Sequence, residues 1–362
     1  MEVKENLQTR TSEDEAINSK DLAIKTRFAL PPEVEILIPG LVLTASISAL
    51  ALHAGSELTY VTPLIVAMGL GILLRNAFII PEAYKLGIFF SMRQLLRFAV
   101  ALLGIRITFG KVAGLGWEGL VIALVPLTVT LVLSMVVSRL IKMDQSPALL
   151  IAAGTSICGA AAILTTAAVT KSKDEDAIVA ISSITVFGTL AMLAYPLLFK
   201  AHLLPITDIQ YGYLTGASIH EVAQVVTAAF GGGERSGEIG ILVKLTRVAA
   251  LIPVATLLSF LVSKGMYRFG KADEKSSVTF PVFLLGFIAM VVFNSMGFFT
   301  PKAVKSIEFF DMFLLTMAMA GMGLETDFRQ LMKVGFKPFF LSVFSTGMIA
   351  FLSIVLVVYL IH

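Results

Sequence analysis

The chain is short of charge. Only 15% of its 362 residues are charged and 57% are hydrophobic, whereas soluble domains carry roughly a quarter charged residues. A water-soluble fold of this length is excluded. Cysteine is nearly absent: Cys158 stands alone, so neither an intramolecular disulfide framework nor a multi-cysteine metal site can form. The net charge is only +3, and the basic residues sit between apolar runs, which leaves no basic stripe for nucleic acid. No G-x-x-x-x-G-K-[ST] loop occurs, and direct ATP coupling in this chain is excluded with it. No connector is long enough for a soluble domain, and no cofactor or metal is implied.

Long apolar runs fill the rest. A hydrocarbon core near 30 Å asks for about 20 apolar residues per helix, and eleven segments approach that length: 36–53, 59–80, 86–105, 119–139, 147–170, 177–199, 206–229, 238–263, 279–299, 304–324 and 336–361. The fold class expected is an all-α integral membrane protein of one transporter domain, 36–362. Arg93 and Arg97 interrupt the third segment and Gly216, His220, Glu221 and Gln224 make the seventh unusually polar, so a re-entrant segment is an alternative at either. Residues 1–35 are polar and mixed in charge, unlike a signal peptide; they read as a disordered cytosolic arm. Lys and Arg favour the connectors on the N-terminal side, which places the N-terminus in the cytoplasm.

Transporters often contain two halves of opposite orientation with the substrate between them. Three internal matches suggest this pattern: Leu95–Ala99 with Leu245–Ala249, the region of Gly69 with that of Gly216, and Ala152–Gly159 with Ala318–Gly323. They define a five-plus-five inverted repeat behind one extra N-terminal helix, with broken helices that cross. A competing alignment pairs Pro63 and Asn76 with Pro281 and Asn294.

Three motifs carry candidate chemistry. Gly154-Thr155-Ser156-Ile157-Cys158-Gly159 can break a helix at mid-membrane depth, and freed amides beside the Thr155 and Ser156 hydroxyls suit an anion. Close packing of small residues is the alternative. In the seventh segment Gly216, His220 and Gln224 share one helix face, and His220 with Glu221 could carry a coupled proton; a polar cluster fixing helix contacts is the alternative. The run His220-Glu221-Val222-Ala223-Gln224 departs from the H-E-x-x-H zinc motif at Gln224. Lys244 and Arg247 lie one turn apart, and a guanidinium fork fits an oxyanion bidentately. Either could instead pair with Glu221. Arg97, the repeat partner of Arg247, is either a site residue or an interfacial anchor.

These motifs, Gly154–Ile163, Gly216–Val226 and Lys244–Arg247, with Leu95–Arg106, resemble the YeiH-type family of bacterial sulfate exporters across nearly the whole membrane region. The resemblance implies a bacterial inner-membrane protein whose fold is similar to the bile-acid/sodium symporter superfamily, with a panel domain and a core of two crossed, broken helices. It places Thr155, Ser156, Cys158, Gln224, Lys244, Arg247 and Arg97 as substrate-binding candidates and His220 and Glu221 as proton-coupling or gating candidates.

The function expected is secondary transport of a small inorganic or organic anion, such as sulfate, sulfite or a sulfonate, by alternating access. A divalent anion leaving a cell with an inside-negative potential of about 100 mV gains about 4.6 kcal/mol, from roughly 2.3 per charge. Export therefore needs no coupling ion, whereas import needs protons or sodium. A membrane enzyme using Cys158 or His220 with Glu221, and a passive anion channel, are the competing readings. A homodimer is compatible with such a fold.

Overall fold

The computed structural model describes residues 35–57, 62–266, 269, 282–326 and 335–361. Of the expected arm at 1–35, residues 1–34 lie outside them. The described residues form helices and connectors, without strands. Seven stretches are long and apolar enough to cross a membrane, and three shorter apolar helices accompany them.

The first spans are α1 (Ile38–Glu57), α2 (Pro63–Ala77) and a composite third made of α3 (Glu82–Phe90), a π-helical turn (Ser91–Leu95), α4 (Leu96–Leu102) and a 3₁₀ turn (Leu103–Arg106). After the short α5 (Phe109–Ala113), α6 (Gly116–Leu140) crosses back. Next come α7 (Gln145–Ser156) and α8 (Ala160–Thr170), then α9 (Asp174–Lys200), α10 (Asp208–Ser218) and α11 (Val222–Phe230). The chain ends with α12 (Glu234–Ala249), α13 (Leu251–Ser263), α14 (Val282–Ser295), α15 (Pro301–Glu325) and α16 (Phe336–Leu360). Large apolar side chains such as Leu50, Leu73, Val132, Leu190, Leu257 and Phe351 stay exposed on the outer faces. That suits helices whose solvent is lipid and whose backbone bonds are closed internally.

Two of the eleven expected spans do not cross. Segment 147–170 turns back at Ile157-Cys158-Gly159, so that Gly154 in α7 lies against Ile163 in α8; a Cβ on Gly154 would stand 2.7 Å from Ile163 Cγ1. Thr170 then returns to the end where α6 finished, and its carbonyl accepts from the amide of Phe269, beyond α13, at 2.9 Å. Segment 206–229 does the same from the opposite end. It turns at Ile219-His220-Glu221, and Tyr211 Oη donates to the Ala228 carbonyl across the hairpin at 3.0 Å. A continuous helix would hold Tyr211 and Ala228 about 25 Å apart.

The expected crossed, broken helices are therefore two re-entrant hairpins meeting tip to tip, between nine crossings among the described residues. Cross-chain bonds fix the topology. Lys337 Nζ at the start of α16 donates to the Lys142 carbonyl at the end of α6, Asn76 Nδ2 at the end of α2 to the Thr326 carbonyl, and Gln210 Nε2 to the Ile361 carbonyl. We call the end where α1 starts the first face and the other the second face; α7–α8 dips in from the first and α10–α11 from the second.

The internal relationship also differs from the expected one. The two tips carry Gly154-Thr155-Ser156-Ile157 and Gly216-Ala217-Ser218-Ile219 in register, so the partner of the first motif is the second. The 318–323 run is instead part of the unbroken α15, where Gly323 packs against Gly71 of α2, a Cβ there lying 3.0 Å from the Gly71 Cα. Small residues serve close helix packing in that place.

Candidate functional site at the hairpin tips

Each tip joins the C-terminus of one half-helix to the N-terminus of the next. Buried helix C-termini leave carbonyls without partners and carry partial negative charge. In both hairpins α12 supplies the answer. Arg247 is fully buried and donates to the carbonyls of Thr155 and Ser156 at the end of α7 and to those of Gly216, Ala217 and Ile219 at the end of α10. Lys244, also fully buried, donates to the carbonyls of Ile157, Ile219 and His220. A guanidinium has five N–H donors and an ammonium three, and the carbonyls take them all.

This placement differs from the role expected for the basic pair. Neither Lys244 nor Arg247 retains a proton for a bound anion; together they staple the two tips to each other. No ion pair joins either to Glu221 among the described residues.

On the other side of the tips lies a cavity of about 390 Å³ that runs toward the first face. Ala160 and Ala161 of α8 and Val222 and Ala223 of α11 line its closed end. Cys158, Arg97 and Glu221, all expected site residues, line it too, together with Arg93, Ser182, Thr185, Glu325 and Thr326. Its walls are apolar, from residues such as Phe89, Leu96, Leu164, Ile181 and Phe283. The Arg93 guanidinium lies over the Phe89 ring at 4.1 Å, within electrostatic reach of Arg97, Glu221 and Glu325.

Glu221 joins the tips on this side. It is the N-cap of α11, and its carboxyl group lies beside the Ala160 amide that opens α8. Gln224 Oε1 accepts from the Glu221 amide at 3.1 Å, while Gln224 Nε2 donates to the Thr185 carbonyl at 3.4 Å. Opposite Glu221 stands Gly159, with φ +79°; a Cβ there would sit 2.5 Å from Glu221 Cγ. Both the positive φ and the close approach require glycine.

The remaining candidates lie behind the tips. His220 is fully buried, with Nε2 3.1 Å from Thr346 Oγ1 of α16 and Nδ1 without a partner. It does not line the cavity. The Thr155 and Ser156 hydroxyls are buried without partners, also outside the lining, and Gln224 is a positioning residue. The sequence reading missed Arg93 and Glu325 as site residues. Arg93 stood one turn from Arg97 in the same interrupted segment, a signal that could have found it; Glu325, at a helix end, gave none.

The family described as "Conserved hypothetical protein 698" matches residues 39–342. A "UPF0324 membrane protein" of Bacteroides thetaiotaomicron is 35% identical over 314 residues, covering 84% of this chain and 93% of its own length. One from Pseudomonas aeruginosa is 35% identical over 332 residues, covering 89% and 94%, and one from Pseudomonas putida 37% identical over 278 residues, covering 76% and 78%. No solved structure matches the chain. The chain belongs to the UPF0324 family of membrane proteins, the YeiH-type family that its three motifs resemble.

Proposed function

We propose that the protein is a secondary transporter of a small anion, with the hairpin tips as the barrier between alternating access paths. The observation that carries this reading is the charge gathered at the tips. Arg93 and Arg97 line the cavity with Glu221, and Glu325 stands toward its first-face mouth; Lys244 and Arg247 are buried behind the tips, and two half-helix N-termini add partial positive charge where the cavity ends. An anion in this cavity is flanked by Arg93 and Arg97 of the third span and by the first residues of α8 and α11. Two opposed hairpins are also suited to alternation, since each blocks one half of the membrane and each can be drawn back toward its own face.

Sulfate, sulfite or a sulfonate is the substrate class we favour, moved outward across the bacterial inner membrane. The orientation rests on Lys and Arg: the hairpin topology brings Lys171 and Lys173 to the first face, adding to the basic excess on the N-terminal side, so this face is cytoplasmic. Export of a divalent anion then runs with the membrane potential.

The test is flux of radiolabelled sulfate in proteoliposomes, with sulfite and taurine as competitors, comparing wild type with Arg97→Gln and Arg93→Gln. Saturable flux is expected, with kcat/KM lowered about tenfold or more in each variant, equivalent to about 1.4 kcal/mol. Absence of saturable flux and of competition for every sulfur oxyanion overturns the substrate class. Full flux in both variants overturns the site.

A further inference from the structure

A second buried charge lies away from the tips. Asp311 sits on the eleventh residue of α15, about 15 Å along the helix from its second-face end at 1.5 Å per residue. Its side chain is fully buried and neither carboxylate oxygen has a hydrogen-bond partner. An ionised carboxylate held so in a membrane interior costs several kcal/mol, and acidic residues in such places mark proton or ion pathways.

Among the described residues, the opposite charge within electrostatic reach of Asp311 is Arg106, on the 3₁₀ turn that ends the third span and packs against α15. Its guanidinium does not reach the carboxylate. It is drawn toward the second face: Nη2 donates weakly to the Glu308 carbonyl at 3.5 Å, Nη1 lies 3.9 Å from the exposed Glu234 carboxylate at the start of α12, and the Phe230 ring is 5.5 Å away at the end of α11. The buried Nε atom of Arg106 has no partner. Two opposite charges with orphaned atoms thus face each other without contact, and the cation is parked on the exit of the second hairpin.

Other charges facing Asp311 are few. Glu308 lies one turn away on its own helix. Ser48 Oγ donates to the Phe313 carbonyl, which sets α1 beside Asp311 near Leu50 and leaves His53, an exposed side chain, about one turn nearer the second face. Arg75 of α2 is at the first-face end, and Arg93 and Arg97 are in the cavity. The facing turns of α11 carry no charge.

We propose that Asp311 is a proton-binding site that controls opening of the second face through competition for Arg106. With a proton bound, Asp311 is neutral and Arg106 stays on Glu234 and Glu308, holding the second hairpin closed as seen here. When the proton leaves toward the second face, the bare carboxylate draws Arg106 inward, the link to α12 is broken, and the second hairpin is free to withdraw. The role in gating rests on the transporter reading; the proton site does not.

The single native cysteine supplies a readout that needs no substrate, because Cys158, buried but lining the cavity on the first-face side, should lose the access it has when the second face opens. Alkylation of Cys158 by a small maleimide is followed in the reconstituted full chain from about pH 5 to 9, for wild type, Asp311→Asn and Arg106→Gln. The ratio of wild-type to Asp311→Asn rates removes the thiol's own ionisation. It is expected to fall about fivefold or more as pH rises, the lower range of ordinary coupling, and Arg106→Gln is expected to abolish that fall. A flat ratio overturns the proposal, as does an Arg106→Gln profile matching wild type. Should Asp311→Asn fail to fold, the wild-type against Arg106→Gln ratio decides by the same criterion. A falling ratio in a protein that moves no sulfur oxyanion would keep the proton site while sinking the substrate class; sulfate flux with a flat ratio would do the reverse.

Discussion

The two hairpins share a sequence and a plan, yet divide the work unequally. Both turn after Gly-x-Ser-Ile, and both surrender their C-terminal carbonyls to the same Lys244 and Arg247. At the next positions they part. The first tip offers Cys158 and Gly159, the second His220 and Glu221. Gly159 and Glu221 are equivalent by register and lie against each other, so one space at the tip contact receives a single side chain. The second hairpin therefore sets one carboxyl group beside both half-helix N-termini, while the first contributes backbone. A pair of opposed repeats meeting at a point cannot carry this carboxylate on both sides, because two carboxylates in one buried space would repel.

The shared staple should be the most sensitive element. Arg247→Ala leaves four carbonyls at two tips without a cation, Ile219 keeping Lys244, and breaking such a buried network costs about 3–5 kcal/mol; the variant is expected to fail size-exclusion and thermal-melt tests of folding. Arg247→Lys should recover only part of this, since three donors replace five. A well-folded Arg247→Ala protein with normal melting would remove the staple from the account. A flux loss in Arg247→Ala alone is thus a poor test of anion binding.

The asymmetry itself is broken by Gly159→Ala. Gly159 has φ +79° and ψ −135°, a region that costs about 1–3 kcal/mol for a residue with a Cβ, and the contact with Glu221 adds to it. If Glu221 is the obstacle, Glu221→Ala placed in the same chain should return part of the lost melting temperature, a coupling that a double-mutant cycle reads directly. Additive effects would show that the two positions do not share the space.

Glu221→Gln sharpens the comparison from the other side. The amide oxygen can still accept from one N-terminus, so a stability loss of about 1 kcal/mol is expected. Removing a negative charge from the closed end of the cavity should also lower the KM for an anion. An unchanged or raised KM would place the substrate away from the tips.

The smallest effect belongs to the first tip. Cys158→Ala removes one small side chain with no hydrogen-bond role in the staple, and less than about 1.5 kcal/mol is expected, with flux retained. Complete loss of activity in a folded Cys158→Ala protein would favour the enzyme reading.

The span limits near 36–53, 119–139, 177–199, 304–324 and 336–361 were legible because each is an uninterrupted apolar run matching the bilayer. Hairpins were not, since a half-membrane helix followed by its return has the same length and hydropathy as one full crossing. Only contacts such as Gly154 with Ile163 and Tyr211 with Ala228 distinguish the two. The motifs at 154–159 and 216–224 marked the right places, yet the roles of their neighbours did not follow: Lys244 and Arg247 looked like anion ligands because residue type says what a cation can bind, not what it already holds. Asp311 was legible as an acid inside the expected span 304–324, but its burial without a partner was not.

What the sequence determined by itself was an all-helical membrane protein with two polar breaks and a cluster of cations beside them, because hydrophobic run length and glycine placement act locally. The tertiary structure decided that the breaks are tips entering from opposite faces, that Lys244 and Arg247 serve backbone carbonyls, and that Arg93, Arg97 and Glu221 share the cavity. Those outcomes depend on which carbonyls, amides and charges are left without local partners once the helices pack, and unsatisfied groups in an apolar interior find each other across any distance in the chain.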